Sequence, residues 1–445
     1  MKEVPARPSW EDPIEALRRR FSPPADDSGG YAVRSGGEAD GTPGRRPWWE
    51  GEAWVGVAAQ LAELGADDPY RLARSGRPSG RIRFADGRTC IAFCSYDYLG
   101  LNGHEVVLEA AEEAARRYGT SCSASRLAGG ECEIHRELEA ALAGFLGTEA
   151  AVATVGGYVT NVAALRFLLD RSDLVLHDGL AHHSLIEGCA VSGARRLAFR
   201  HNDIDHLEAL LRAHGSGARQ VLVVVESLYS MDGDVVDLPR VLALKERYGF
   251  VLMVDEAHSL GTLGRSGRGL CEHWGIDPAS VDILMGTLSK SLVSCGGFIA
   301  GRRALVEVLR HRCPGFLLYS AGLPPPAAGA ALGALQVLER EPERVGRLRA
   351  RASLLRGRLL EAGCDVGACS DGSPIVPVML PAHRDMKDVA ELSRRLLHRG
   401  VHVVGLGHPV VPRDGARLRM FVSAAHAEAD LERAAAVVAE AVGEA

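Results

Sequence analysis

Several features that would assign a chain quickly are missing from this one. Its longest apolar runs, such as residues 221–225, are strand-sized, far short of the roughly twenty residues that cross a bilayer. Residues 1–20 mix charges and prolines with no apolar stretch, so no secretory leader is expected. There is no basic block: 51 Lys and Arg stand against 57 Asp and Glu, a net charge of −6, which leaves no electrostatic footprint for nucleic acid. The ten cysteines include no C-x-x-C pair. Cys90 with Cys94 and Cys364 with Cys369 are the nearest neighbours, and neither has a second pair to complete a metal site. Reduced thiols in a cytoplasmic protein with no metal are the expectation. No repeat is visible, and no G-x-x-x-x-G-K-[ST] loop precedes the D-E-A-H at 255–258, which excludes the helicase reading of that motif.

What is present is enough apolar material for a large core, 47% of 445 residues, and a length suited to two or three lobes. Residues 1–46, rich in Pro, Gly, Arg and Asp, predict a flexible extension. Trp48, Trp49 and Trp54 open a helical stretch to Gly65, and 47–92 reads as a helical docking segment. From 93 to 326, strand-sized runs (173–177, 220–226, 250–255, 281–285) alternate with amphipathic helices such as 204–214 and 238–248. That alternation predicts an α/β fold with a mostly parallel sheet covered on both faces. Residues 327–445 read as a smaller α/β lobe, opening with a long, Arg-rich helical region over 327–362. Ligands of such sheets bind beyond the carboxyl ends of the strands.

The chemistry-bearing residues fall at those ends. Lys290 follows the run 281–285 among small hydroxylated residues (Gly286-Thr287-Leu288-Ser289-Lys290-Ser291), with Gly296-Gly297 after it. Lysine forms Schiff bases, and desolvation lowers its pKa towards reactivity. Asp255 ends the run 250–255 and His258 lies three residues on. A carboxylate there suits a pyridine nitrogen that must stay protonated, although an aspartate after a strand also caps helices. Gly156-Gly157-Tyr158, where a strand meets a helix, exposes N–H groups that suit a phosphate, with Thr287 and Ser289 near in the same role; a plain turn is the alternative. His182, just past a strand, suits stacking on a flat ring; a packed surface histidine is the alternative. Arg417 and Arg419 share one face of a strand, suited to a carboxylate.

Taken in this order, lysine, aspartate with histidine, glycine turn and arginine strand resemble the α-oxoamine synthases, a family of fold type I pyridoxal-phosphate (PLP) enzymes that includes serine palmitoyltransferase. The resemblance runs from Phe93-Cys94-Ser95-Tyr96-Asp97-Tyr98-Leu99-Gly100 to the end of the chain. It takes in the stretches Glu226–Asp234 and Tyr319-Ser320-Ala321-Gly322-Leu323-Pro324-Pro325. It implies a large domain with a mostly parallel seven-stranded sheet and a smaller C-terminal domain. It also implies a homodimer with active sites at the subunit interface. By the same resemblance Lys290 would hold PLP, Asp255 would pair with the ring nitrogen, His182 would stack on the ring, and His258 with Ser230 would sit near its phenolic oxygen. Gly157, Tyr158, Thr287 and Ser289 would bind the phosphate, Ser320 would reach a partner's phosphate, and Arg419 would take the amino-acid carboxylate.

The implied reaction joins a small amino acid (glycine, alanine or serine) to an acyl thioester of coenzyme A or an acyl carrier protein, with loss of carbon dioxide. The segment 120–126 lacks the glycine-rich form of 5-aminolevulinate synthases, so an apolar acyl group is expected, with Arg126, Arg310 or Arg312 meeting a carrier phosphate. Aminotransfer, aldol cleavage, or a non-catalytic partner subunit are the alternatives.

Overall fold

The computed structural model describes residues 68–381, 386–408 and 410–444; the extension 1–46 and the tryptophan segment lie outside them. The described part begins with a hairpin, not a helix. In β1 (Arg81–Arg83) and β2 (Thr89–Ala92) the strands pair antiparallel around Asp86-Gly87, where Gly87 takes φ 90°. This corrects the helical reading of 47–92 over its last part: alternation and an Asp-Gly turn favour a hairpin here.

Helices α1 (Glu105–Tyr118) and α2 (Glu133–Leu146) lead into the large sheet. Its strands are β3 (Ala150–Thr154), β4 (Leu174–Asp178), β5 (Arg195–Phe199), β6 (Val221–Glu226), β7 (Val251–Asp255), β8 (Ile283–Thr287) and β9 (Gly297–Gly301), in the order β3-β9-β8-β7-β6-β4-β5. β9 alone runs opposite to the other six strands.

Strands buried on both faces read as continuous apolar runs, and the two-residue period divides them between two cores. Val152, Leu222, Val224, Met253, Met285 and Ile299 pack on one side, with α3 (Gly157–Leu168) and α4 (His183–Val191). Ala151, Val223, Val225, Leu252, Val254 and Leu284 pack on the other, with α5 (Ile204–His214) and α6 (Leu238–Tyr248). Each of these Val, Leu, Ile and Met side chains contributes about 1.5–3 kcal/mol of burial, and together they fix the strand ends that carry the polar residues.

The helical region expected over 327–362 is made of two helices, Pro325–Arg340 and Glu343–Glu361. Pro342 lies between them, since proline has no N–H for a helix interior. The first packs on α1 and α2, so it belongs to the large lobe. In the small lobe, β10 (Ile375–Met379), β12 (Val404–Leu406) and β13 (Arg417–Phe421) form an antiparallel sheet centred on β13. β11 (Val401–His402) pairs with β2, so the N-terminal hairpin is a piece of the same lobe. Among the described residues no helix is long and apolar enough to cross a membrane.

Candidate active site

The carboxyl ends of the parallel strands open onto a cleft of about 190 Å³. Lys290 enters it from the β8–β9 connection, a loop closed by the Leu288 N–H donating to the Gly296 carbonyl at 3.0 Å. Gly296 sits at φ 142°, and a Cβ there would meet Leu288 Cδ1 at 2.7 Å, so this tight return requires glycine. Loss of water around its amine pulls Lys290 down to about 8, against the opposing charges of Asp255 and Glu226.

Asp255, 4% exposed, ends β7. One carboxylate oxygen accepts from Asn161 Nδ2 and the other from the Ala257 N–H, each at 2.9 Å. The carboxylate is therefore fixed in place while still lining the cleft. Beside it, at the matching position of the adjacent strand, stands Glu226. Burial first, and the Asp255 charge second, push Glu226 up to about 8, so it keeps its proton at neutral pH. Its Oε1 accepts from the His182 N–H at 2.6 Å.

That bond anchors His182 at the head of α4, where Nδ1 accepts from the Ser184 N–H at 3.3 Å and lies 2.7 Å from Ser184 Oγ. Desolvation lowers the ring's pKa, so His182 is neutral with its proton on Nε2. His258 is neutral too. Burial, and then the Lys290 charge, hold it well below its ordinary value. Its Nδ1 lies 2.8 Å from the Tyr98 hydroxyl and its ring stacks on Phe421 of the small lobe.

At the other end of the cleft, Thr287 Oγ1 and Ser289 Oγ lie 2.7 Å apart. They adjoin Gly157 and Tyr158 at the start of α3, a helix whose N-terminus no side chain caps. A Cβ at Gly157 would come within 3.1 Å of Thr287 Oγ1; the glycine keeps this corner open.

The other expected residues lie apart. Ser230 is buried in the loop after β6, where its carbonyl accepts from Arg419 Nη1 at 3.1 Å. Arg419 lies over the Phe421 ring at 4.6 Å. Arg417 is buried and tied to Asp232 at 2.6 Å. Ser320 is outside the cleft lining, following Tyr319, which is 78% exposed.

Arg126 corrects the reading that gave it a carrier phosphate. Its side chain is 1% exposed and lies 2.6 Å from both Glu131 and Glu139, with the Ala153 carbonyl at 3.0 Å. Arg310 also pairs with Glu139, at 2.8 Å. Four of the five Arg126 N–H donors are engaged within the protein, and its burial keeps the guanidinium from a ligand at the surface. Three cleft residues were missed in sequence: Glu226, Asn161 and Ser184. The signals were their places, one closing an apolar strand and the others four residues after Gly157 and two after His182.

The fold also gathers Cys122, Cys132 and His135 within 4.8 Å of one another, which spacing alone did not suggest. His135 Nδ1 accepts from the Cys132 N–H at 3.1 Å, leaving Nε2 to donate to the Leu323 carbonyl at 2.8 Å. Both ring nitrogens are used, so the histidine acts as a helix cap without a lone pair for a metal.

A desolvated lysine, a fixed carboxylate and a hydroxyl-lined, uncapped helix end are the donor set that PLP requires, and these residues fit it. Asn161 Oδ1 is buried there without a partner, which marks a place meant for a polar group. The fold and cleft are those of a fold type I PLP enzyme. Residues 88–438 match the family described as aminotransferase class I and II. The chain is 41% identical to the 8-amino-7-oxononanoate synthase of Geobacter sulfurreducens, over 86% of this chain and 97% of that one. It is 36% identical to the long chain base biosynthesis protein 2a of Arabidopsis thaliana, over 87% and 79%. The Sphingomonas wittichii serine palmitoyltransferase superposes with a TM-score of 0.82 at 29% identity, over 88% and 97%.

The chain belongs to the α-oxoamine synthases. It is an acyltransferase that condenses an amino acid with an acyl thioester, with decarboxylation. Bound in the cleft, PLP supplies an electron sink for the amino acid's α-carbon.

Proposed function

We propose that this chain joins a small amino acid (glycine, alanine or serine) to an apolar acyl thioester, working as a homodimer in the cytoplasm. The observation that carries the site assignment is Lys290, its amine stripped of water in the cleft that Asp255 lines. Lys290 would hold the cofactor and, as a free amine, would take the α-proton; a pKa of about 8 suits both roles near neutrality. Asp255 keeps the ring nitrogen protonated. Neutral His182 lies against the ring, and His258 and Ser230 serve its phenolic oxygen. Gly157, Tyr158, Thr287 and Ser289 hold the phosphate, and Ser320 reaches the partner's. Arg419, free of any carboxylate partner among the described residues, receives the amino-acid carboxylate.

The engagement of Arg126 by Glu131 and Glu139 removes the one cation of 120–126 from service to an acidic donor. This favours an apolar acyl group, whose methylenes contribute about 0.8 kcal/mol each on burial. The experiment is to offer single amino acids with coenzyme A and carrier-protein thioesters of rising chain length, scoring carbon dioxide and free thiol. An α-keto acid product without thiol release would overturn the condensation, and a preference for succinyl-CoA would overturn the apolar donor.

A further inference from the structure

A second ionic cluster sits behind the cleft, and the steps above leave it unused. Asp178, fully buried at the end of β4, accepts from His201 Nδ1 at 2.9 Å, the Tyr229 hydroxyl at 3.0 Å, and the Leu180 and Asn202 N–H groups at 2.7 Å each. On its other side His201 Nε2 lies 3.2 Å from Asp234 Oδ2. The ring thus stands between two buried carboxylates, edge-on to Tyr229 at 4.5 Å. Burial works against its charge, but the hydrogen bond to Asp178 and the nearby Asp234 carboxylate outweigh that and raise it to about 10; Nε2 meets Asp234 as an ion pair without hydrogen-bond geometry. Asp234 has Asn202 Nδ2 at 2.8 Å as a further donor, while its Oδ1 is buried with none. The imidazolium is therefore the cation that offsets its charge; without one, a buried carboxylate is costly.

Asp234 closes the loop 228–235, which folds on itself through Tyr229 N–H to Asp234 O at 3.0 Å and Gly233 N–H to Tyr229 O at 2.9 Å. The far side of this loop meets the small lobe. The Ser230 carbonyl and Met231 Sδ accept from Arg419 at 3.1 and 3.3 Å, and the Met231 carbonyl and Asp232 hold Arg417 at 3.1 and 2.6 Å.

We propose that His201 is a positioning residue for the condensation: clamped between Asp178 and Asp234, it fixes the 228–235 loop, and the loop's acceptors aim Arg419 at the amino-acid carboxylate. This rests on the role given above to Arg419. His201 touches no reacting atom and acts through the loop alone.

The test uses the full-length holoenzyme with His201→Gln, which keeps the bulk but loses the charge, and the double variant His201→Gln/Asp234→Asn, which removes the stranded carboxylate as well. The single variant should raise KM for the amino acid about 5- to 50-fold, the size of coupling within one polar network, and leave KM for the thioester unchanged. Amide hydrogen exchange at 228–235 should quicken in the apoprotein. The double variant should recover most of both effects. Equal loss on both substrates, unchanged exchange in the loop, or no recovery in the double variant would overturn the proposal. If the single variant fails to fold, the double variant decides: near-normal amino-acid KM and slow exchange support the clamp, and their loss refutes it. Arg419→Ala is the control. An unchanged amino-acid KM there refutes the role of Arg419, whereas a raised KM there with a normal one in His201→Gln refutes the clamp alone.

Discussion

Asp255 and Glu226 occupy matching positions on adjacent parallel strands yet do opposite work, and their surroundings make the difference. Asp255 has two fixed donors, whereas Glu226 is buried beside the Asp255 charge with the His182 N–H as its donor. Asp255→Asn should retain PLP but lose about 30- to 1,000-fold in turnover, roughly 2–4 kcal/mol of transition-state stabilisation. Near-normal kcat would place the ring's partner elsewhere. For Glu226, the folded pKa of about 8 exceeds the ordinary 4.5. Its contribution to stability is complete below about pH 4.5 and is lost as pH rises through 8. The melting temperature of apoprotein should therefore fall more between pH 5 and 8 in the wild type than in Glu226→Gln, which stays neutral throughout. Parallel melting curves would refute a protonated Glu226. Lys290, lowered from 10.5 to about 8, contributes in the separate window above 8, where stability is lost as pH falls from 10.5. The rate at which apoenzyme takes up PLP should rise about tenfold per pH unit up to 8 and level above it, followed by the absorbance of the Schiff base.

Among the elements, the start of α3 and strand β9 fit closely against each other. A Cβ at Gly297 would meet Thr160 Oγ1 at 2.5 Å and Gly157 Cα at 2.8 Å. Gly297→Ala should push the head of α3 away from Thr287 and weaken PLP binding at least tenfold, with far smaller effect on the melting temperature of apoprotein; titration with PLP measures it. Unchanged affinity would mean that the phosphate lies elsewhere. Most of this level was legible in sequence. The sheet strands are apolar runs, and Lys290 and Asp255 follow or close them directly, so finding the strands found the residues. Glu226 ends its strand in the same way and was readable by that rule. Arg126 was not: its partner Glu139 lies thirteen residues on, in a helix, and spacing does not report which buried charge a guanidinium will meet. The hairpin over 81–92 was written locally, in an Asp-Gly turn, and was overridden by a broader reading of composition.

For the whole molecule, Leu318 and Tyr319, 41% and 78% exposed, stand beside Ser320, the residue proposed above to reach a partner's phosphate. For the homodimer proposed above, Tyr319→Asp should shift the protein towards monomer by light scattering and lower activity with it. A fully active monomer would remove Ser320 from the site. The single reversed strand of the large sheet bears on how such a molecule is made. Strand β3, which carries the chain into the head of α3, has β9 as its one partner in the sheet, and Thr154 there pairs with Gly297. During synthesis β3 must wait for that distant partner to emerge, a long-range closure that is slow by nature. The phosphate corner and the lysine loop are joined by the same late event. A ribosome releasing this protein thus exposes an unfinished sheet edge until β9 arrives, and the competence to capture its cofactor comes all at once with the strand that seals the edge.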